Sequence, residues 1–245
     1  MQEQEEYSVL SKAAYDWYYG SHELAKQELE AYGLDGYEFD VDHSDYNSVV
    51  ITKPDGSVVI SFRGTDFTNP SDLLADFHIL TGVHSNPLMQ QLNAMNRFED
   101  ASQKYDRVKA KYESVKLTGH SLGGAQALHV ARKNDGDAIV FNPGSSPFAE
   151  PFHTILTNDN PQTIYTTGDD FISYSSYLFD TKDKVKVVPR KNNGYLSHSL
   201  VHFLPPRQRI TEPPKYLDPV NIETRERVRF CEVFPELCNY ESSTG

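Results

Sequence analysis

The sequence predicts an α/β domain, a three-layer sandwich whose mostly parallel central sheet carries antiparallel strands at its N-terminal edge. Three observations predict it. Short β-branched runs alternate with helical-period segments through the middle of the chain, the pattern of a parallel sheet with helices on its faces. Two apolar runs, YNSVVIT and SVVISFRG, flank Lys53-Pro54-Asp55-Gly56, a turn signal that makes them a hairpin. SVKLT then passes through Gly119 straight into a helical pattern, giving a strand, a tight turn and a helix in succession.

The elements follow in order. SVLSKAAYDWYYG, from Ser8, spaces Val9, Leu10, Ala13, Ala14 and Trp17 as one helical face and stops at Gly20. HELAKQELEAYG reads as a second helix ending at Gly33, and YEFDVD alternates apolar and acidic residues as a half-buried strand does. Its acids lack the ligand order and glycine of a calcium loop. Leu88, Leu92, Met95, Ala101, Tyr105, Val108 and Tyr112 mark one face of a long helix. SVKLT is a strand, and a helix is expected over 125–132. After Asn134-Asp135-Gly136 come the strands AIVF, TIYTT and KVKVV. Beyond Pro205-Pro206 the chain turns to prolines and charges. Residues 1–206 are therefore read as the α/β domain, and 207–245 as an extension that packs on it or binds a protein partner through Glu223 to Phe230.

Composition narrows the function. A formal charge of −12 without a basic stripe argues against nucleic-acid partners and against unaided docking on an anionic membrane. No apolar run approaches the ~18 residues of a membrane span. The acidic start, MQEQEEYSVL, has no signal-peptide pattern. A soluble chain, cytoplasmic by default, is expected. Cys231 and Cys238 read as free thiols or a local disulfide; two cysteines without a nearby histidine make no zinc site. No metal or cofactor is expected.

The chemistry centres on Gly119-His120-Ser121-Leu122-Gly123, which fits G-x-S-x-G. Between strand and helix, such a turn is so tight that the serine is strained and its hydroxyl projects from the sheet edge, while the glycines keep neighbouring backbones apart. Ser121 is thus the expected nucleophile. A serine hydroxyl needs a base. In hydrolases built on this turn the other members follow in the order serine, acid, histidine. Of the nine histidines, His129 lies on the nucleophile's own helix and His153 precedes the expected acid, leaving His198 and His202. These are four apart and on one helical face, and either can be the base. TIYTT runs into Gly168-Asp169-Asp170; adjacent residues leaving a strand point opposite ways, so one carboxylate faces the histidine. Asp170 is preferred, with Asp169 the alternative. Two backbone donors must meet the developing oxyanion. One is the N–H of Leu122; the other is expected after VVISF, where Gly64 allows close approach and Thr65 offers both N–H and hydroxyl.

VVISFRGTD (58–66), SDLLADF (71–77), KLTGHSLGG (116–124), Asp170-x-Ile172-Ser173 and His198-x-Leu200 together resemble the fungal-type (class 3) lipases, serine esterases of the α/β-hydrolase fold. The resemblance implies a carboxylic-ester hydrolase acting on acylglycerols, phospholipids, galactolipids or feruloylated sugars, with a place in lipid degradation. It implies Ser121, Asp170 and His198 as the triad, and Thr65 with Leu122 as the oxyanion hole. Asp76 would be the acid that holds the Thr65 hydroxyl. Leu73 stands where the family carries tryptophan. Only 28 residues separate Asp170 from His198, a trimmed interval. The place of an apolar lid reads Asp66-Phe67-Thr68-Asn69-Pro70, short and mostly polar, which points to soluble or micellar esters. Two other readings stand beside this one: a catalytically silent lipase-like scaffold, and an acyltransferase using the same triad on another acceptor.

Overall fold

The structure, a computed structural model, describes residues 1–64, 87–144, 160–168, 170, 183–191 and 199–209, with backbone alone over 87–96. It contains a seven-stranded sheet in the order β1 (Glu38–Phe39), β2 (Ser48–Thr52), β3 (Val58–Phe62), β4 (Val115–His120), β5 (Asp137–Phe141), β6 (Thr163–Thr167) and β7 (Lys184–Val188). β1, β2 and β3 pair antiparallel, and every pair from β3 to β7 is parallel. This is the expected α/β architecture with its antiparallel N-terminal edge.

Among the described residues, four helices cover the two faces. α1 (Glu3–Tyr19) and α2 (His22–Ala31) lie on one, and α3 (Pro87–Lys111) and α4 (Leu122–Lys133) on the other. Alternation along the strands divides the core accordingly. Val49, Ile51, Val59, Ile139 and Phe141 pack with α1 and α2, whereas Val50, Val58, Ile60, Leu117 and Val140 pack with α3 and α4. Burying each large apolar side chain contributes about 1.5–3 kcal/mol.

α1 begins earlier than its apolar spacing suggests. Glu5 accepts the Gln2 N–H at 3.1 Å, and three glutamates in the first turn oppose the positive end of the helix dipole. Ala13 and Ala14 let α1 approach the sheet closely, and Ser11 Oγ meets Thr118 Oγ1 of β4 at 2.7 Å. α4 also starts early, at Leu122, because Gly123 and Gly124 belong to its first turn.

The hairpin forms as expected. Gly56 has φ +83°, and the Asp55 carboxylate accepts the Ser57 N–H at 2.9 Å. YEFDVD is a strand for only two residues, after which Val41–His43 form a 3₁₀ turn. The cause is Asp40, whose carboxylate turns inward to Tyr112 (2.7 Å), His43 (2.9 Å) and Lys111 (2.8 Å) instead of outward to solvent.

Residues 207–209 lie against α2. The Gln208 N–H donates to the Ala31 carbonyl (2.8 Å), and Arg207 reaches Glu28 (2.7 Å). Lys12 joins Glu28 (3.1 Å) to Asp16 (2.6 Å), so α1, α2 and this segment share one buried ionic cluster. Burial pushes the Asp16 carboxyl up to about 6 against the pull of Lys12. Residues 210–245, including Glu223 to Phe230, Cys231 and Cys238, lie outside the described residues. No helix among the described residues is long and apolar enough to cross a membrane.

Candidate active site

β4 delivers Ser121 into a strained corner. Its φ of 57° and ψ of −130° lie where non-glycine residues rarely sit, at a cost of about 1–3 kcal/mol. The surroundings hold it there. The Ser121 N–H donates to the Phe141 carbonyl (3.2 Å), and the Ser121 carbonyl accepts from Ala125 and Gly144 (both 3.1 Å). Backbone crowds the corner at both flanking glycines. A methyl on Gly119 would collide with the Gly123 carbonyl group, and one on Gly123 with the Phe62 carbonyl. Both glycines are needed because β3, β4 and α4 touch main chain to main chain.

Leu122 opens α4, so its N–H and the two that follow have no acceptor within the helix. They carry the positive end of the dipole to the serine's side of the sheet. The Leu122 side chain packs away from solvent with Phe98 and Ala125.

Asp170 follows β6, two parallel strands from β4, so it leaves the same sheet edge about 10 Å to the side of Ser121. One imidazole with a hydrogen bond at each nitrogen nearly spans such a gap. Asp170 is buried, and its N–H donates to the Thr167 carbonyl at 3.1 Å. Between them, at the end of β5, Asn142 takes a positive φ of 39° and accepts the Thr167 N–H on Oδ1 at 2.9 Å. That bond braces the exit of β6.

Of the two histidine candidates, His202 lies in the 3₁₀ turn Leu200–His202 and is fully buried. Its Nδ1 accepts the Lys191 N–H at 3.2 Å, which leaves Nε2 as the ring's donor nitrogen. His129 packs edge-on to Phe98 with ring centroids 5.2 Å apart. Burial lowers its pKa to about 4, which keeps it neutral inside the fold. Thr65, Asp76, Asp169 and His198 lie outside the described residues.

Two residues beside the elbow escaped sequence reasoning. The Tyr15 hydroxyl of α1 lies 3.0 Å from His120 Nδ1. It also occupies the space where a side chain at Gly64 would begin, a point 3.2 Å from Ser121 Cβ. Tyr15 and His120 are 105 residues apart, so no local pattern joins them. The only available signal was a tyrosine among the small residues of an apolar helix face.

Residues 59–134 match the family model for lipase (class 3). The match runs from β3 to the end of α4 and so contains the elbow and its glycine contacts. It supports the class 3 lipase resemblance carried by VVISFRGTD and KLTGHSLGG, and with it a hydrolase of general lipase or esterase type. No curated protein matches the chain. Among the described residues, no group of His, Cys, Asp and Glu is arranged to hold a metal ion.

Proposed function

We propose that the protein is a serine carboxylic-ester hydrolase in which Ser121 attacks the ester carbonyl, His198 moves the proton and Asp170 orients the imidazole. The observation that carries this reading is the backbone of Ser121, a positive-φ corner held between β4 and the N-terminus of α4. A serine that only began a helix would take an extended cap conformation and bond its hydroxyl to the first turn. Ser121 does neither within its own helix.

The histidine is assigned by chemistry. A triad base donates from Nδ1 to the acid and accepts the serine proton on Nε2. His202 has these roles reversed, because its Nδ1 is an acceptor of a main-chain N–H. This favours His198 as the base, with His202 the alternative. Asp170 supplies the acid, since it is buried at the correct sheet edge. The tetrahedral oxyanion is met by the Leu122 N–H and by Thr65, held in turn by Asp76. Collapse of that intermediate expels the alcohol with the proton from His198, and water then releases the acyl group by the reverse sequence.

Hydrolysis of p-nitrophenyl esters from acetate to palmitate tests this reading, with Ser121→Ala as control. Turnover that falls about a thousandfold or more in a folded Ser121→Ala protein is expected. Retention of full rate in that variant would end the proposal, and the chain-length profile separates esterase from lipase.

A further inference from the structure

Arg63 ends β3 immediately before Gly64, and its carbonyl carbon is 2.8 Å from where a Gly123 side chain would begin. Its backbone is thus part of the elbow wall. Its guanidinium, with the residue only 5% exposed, stacks 4.0 Å from the centre of the Tyr18 ring. Nε donates to the Tyr46 carbonyl at 2.9 Å, but Nη1 is buried with no hydrogen-bond partner. Three other inward-facing cations hold a carboxylate. Lys12 holds Asp16 (2.6 Å), Lys104 holds Asp45 (2.6 Å) and Arg132 holds Asp183 (2.7 Å). Among the described residues Arg63 has no carboxylate partner, in a chain with 35 acidic residues against 23 basic ones.

A buried charge without a counter-charge costs several kcal/mol, and a ring face with one carbonyl offsets only part of that. The position suggests what completes it. Tyr15 and Tyr18 are three residues apart and share a face of α1. The Tyr15 hydroxyl lies against Gly64 beside the serine, so the Tyr18-stacked guanidinium is about one helical turn, ~5 Å, further out. Tyr46, 74% exposed, borders it on the solvent side. A charged group about four or five bonds from an ester carbonyl at Ser121 is of the length that would reach this point.

We propose that Arg63 is an anion-recognition subsite for the substrate, taking a phosphate or carboxylate on the same molecule as the scissile ester. This rests on the ester-hydrolase reading and narrows it to anionic esters. A planar guanidinium is suited to the task because its fork matches the spacing of oxyanion oxygens.

The test compares kcat/KM for dihexanoylglycerophosphate and neutral dihexanoylglycerol, and for p-nitrophenyl hemiglutarate and p-nitrophenyl butyrate. The wild type should prefer an anionic member by about tenfold or more, and Arg63→Gln should erase that preference, read as the ratio of the two rates within each pair. Preference in one pair identifies phosphate or carboxylate as the anion. Equal rates within both pairs, or a preference that survives Arg63→Gln, would overturn the subsite. If Arg63→Gln melts out, Arg63→Lys keeps the charge without the fork and should reduce the preference. Calorimetry on Ser121→Ala separates the subsite from catalysis. Dihexanoylglycerophosphate should bind there and dihexanoylglycerol should not, and inorganic phosphate shows whether the bare anion suffices. Indistinguishable binding of the two lipids would sink the subsite even if esters are turned over.

Discussion

The Tyr15 hydroxyl fills the space in front of Gly64: the phenol oxygen stands where a side chain at position 64 would begin, and His120 Nδ1 lies 3.0 Å from it. An N-terminal helix therefore reaches across the sheet edge to the turn that precedes Thr65. In the proposed mechanism this turn supplies an oxyanion donor, so Tyr15 acts as a positioning residue.

Tyr15→Phe removes the hydroxyl and little else. Loss of one such hydrogen bond costs about 1 kcal/mol, which in a transition state is about fivefold in rate. The expected result is a several-fold fall in kcat on p-nitrophenyl butyrate with KM nearly unchanged and a melting temperature within a few degrees. An unchanged kcat alongside a lowered melting temperature would reduce the pair to packing.

Gly123 and Gly124 are adjacent in the first turn of α4, where alanine is the better helix former by about 1 kcal/mol at either position. Their surroundings differ. A methyl at Gly123 runs into the Phe62 carbonyl, which is main chain and cannot step aside, whereas one at Gly124 meets Gly119 O at 3.1 Å and Pro143 at 3.2 Å. Gly123→Ala should destabilise by about 1–3 kcal/mol and abolish turnover. Gly124→Ala should cost less and leave measurable activity. Chemical denaturation and ester assays on the two variants check this, and equal outcomes would contradict the contacts described.

Much of this arrangement was legible in the sequence because it rests on local grammar. The hairpin over Lys53–Gly56 and the strand–Ser121–helix turn need only neighbouring residues, and both form. β1 misled because alternation assumes that an acid faces water, while Asp40 turns inward to Tyr112, 72 residues away. α4 starts before Ala125 because helix propensity penalises Gly123 and Gly124, whereas close backbone contact requires them. Tyr15 was invisible for a related reason: its role exists only through His120 and Gly64, which the fold brings to it. The Lys191 N–H on His202 Nδ1 is likewise a contact that no spacing predicts.

Arg132 and Asp183 form a buried ion pair at 2.7 Å, and the second Asp183 oxygen accepts the Gln162 N–H at 3.0 Å. Asp183 leads directly into β7, an edge strand whose Val185 and Val187 are exposed and contribute little burial. The carboxylate is thus a main attachment of that edge to α4 and β6. Arg132→Ala leaves it buried and unpaired, with an expected loss of about 3–5 kcal/mol in urea denaturation. Amide exchange should rise first in β7. A loss below ~1 kcal/mol would show the pair to be dispensable.

His129 gives the fold a sensitivity to acid. Its pKa is lowered to about 4 by burial, with Lys133 adding to the effect, from an ordinary 6.5. A group whose folded pKa is depressed binds protons more weakly folded than unfolded, so its stabilising contribution is present above pH 6.5 and fades as pH falls towards 4. At full extent the difference approaches ~3 kcal/mol, since each pH unit is worth about 1.4. His129→Leu keeps an apolar side chain against Phe98 and cannot be protonated. Its stability relative to wild type should therefore improve steadily between pH 7 and pH 4.5. Parallel slopes for the two proteins across that range would mean that the His129 ring is protonated as readily folded as unfolded.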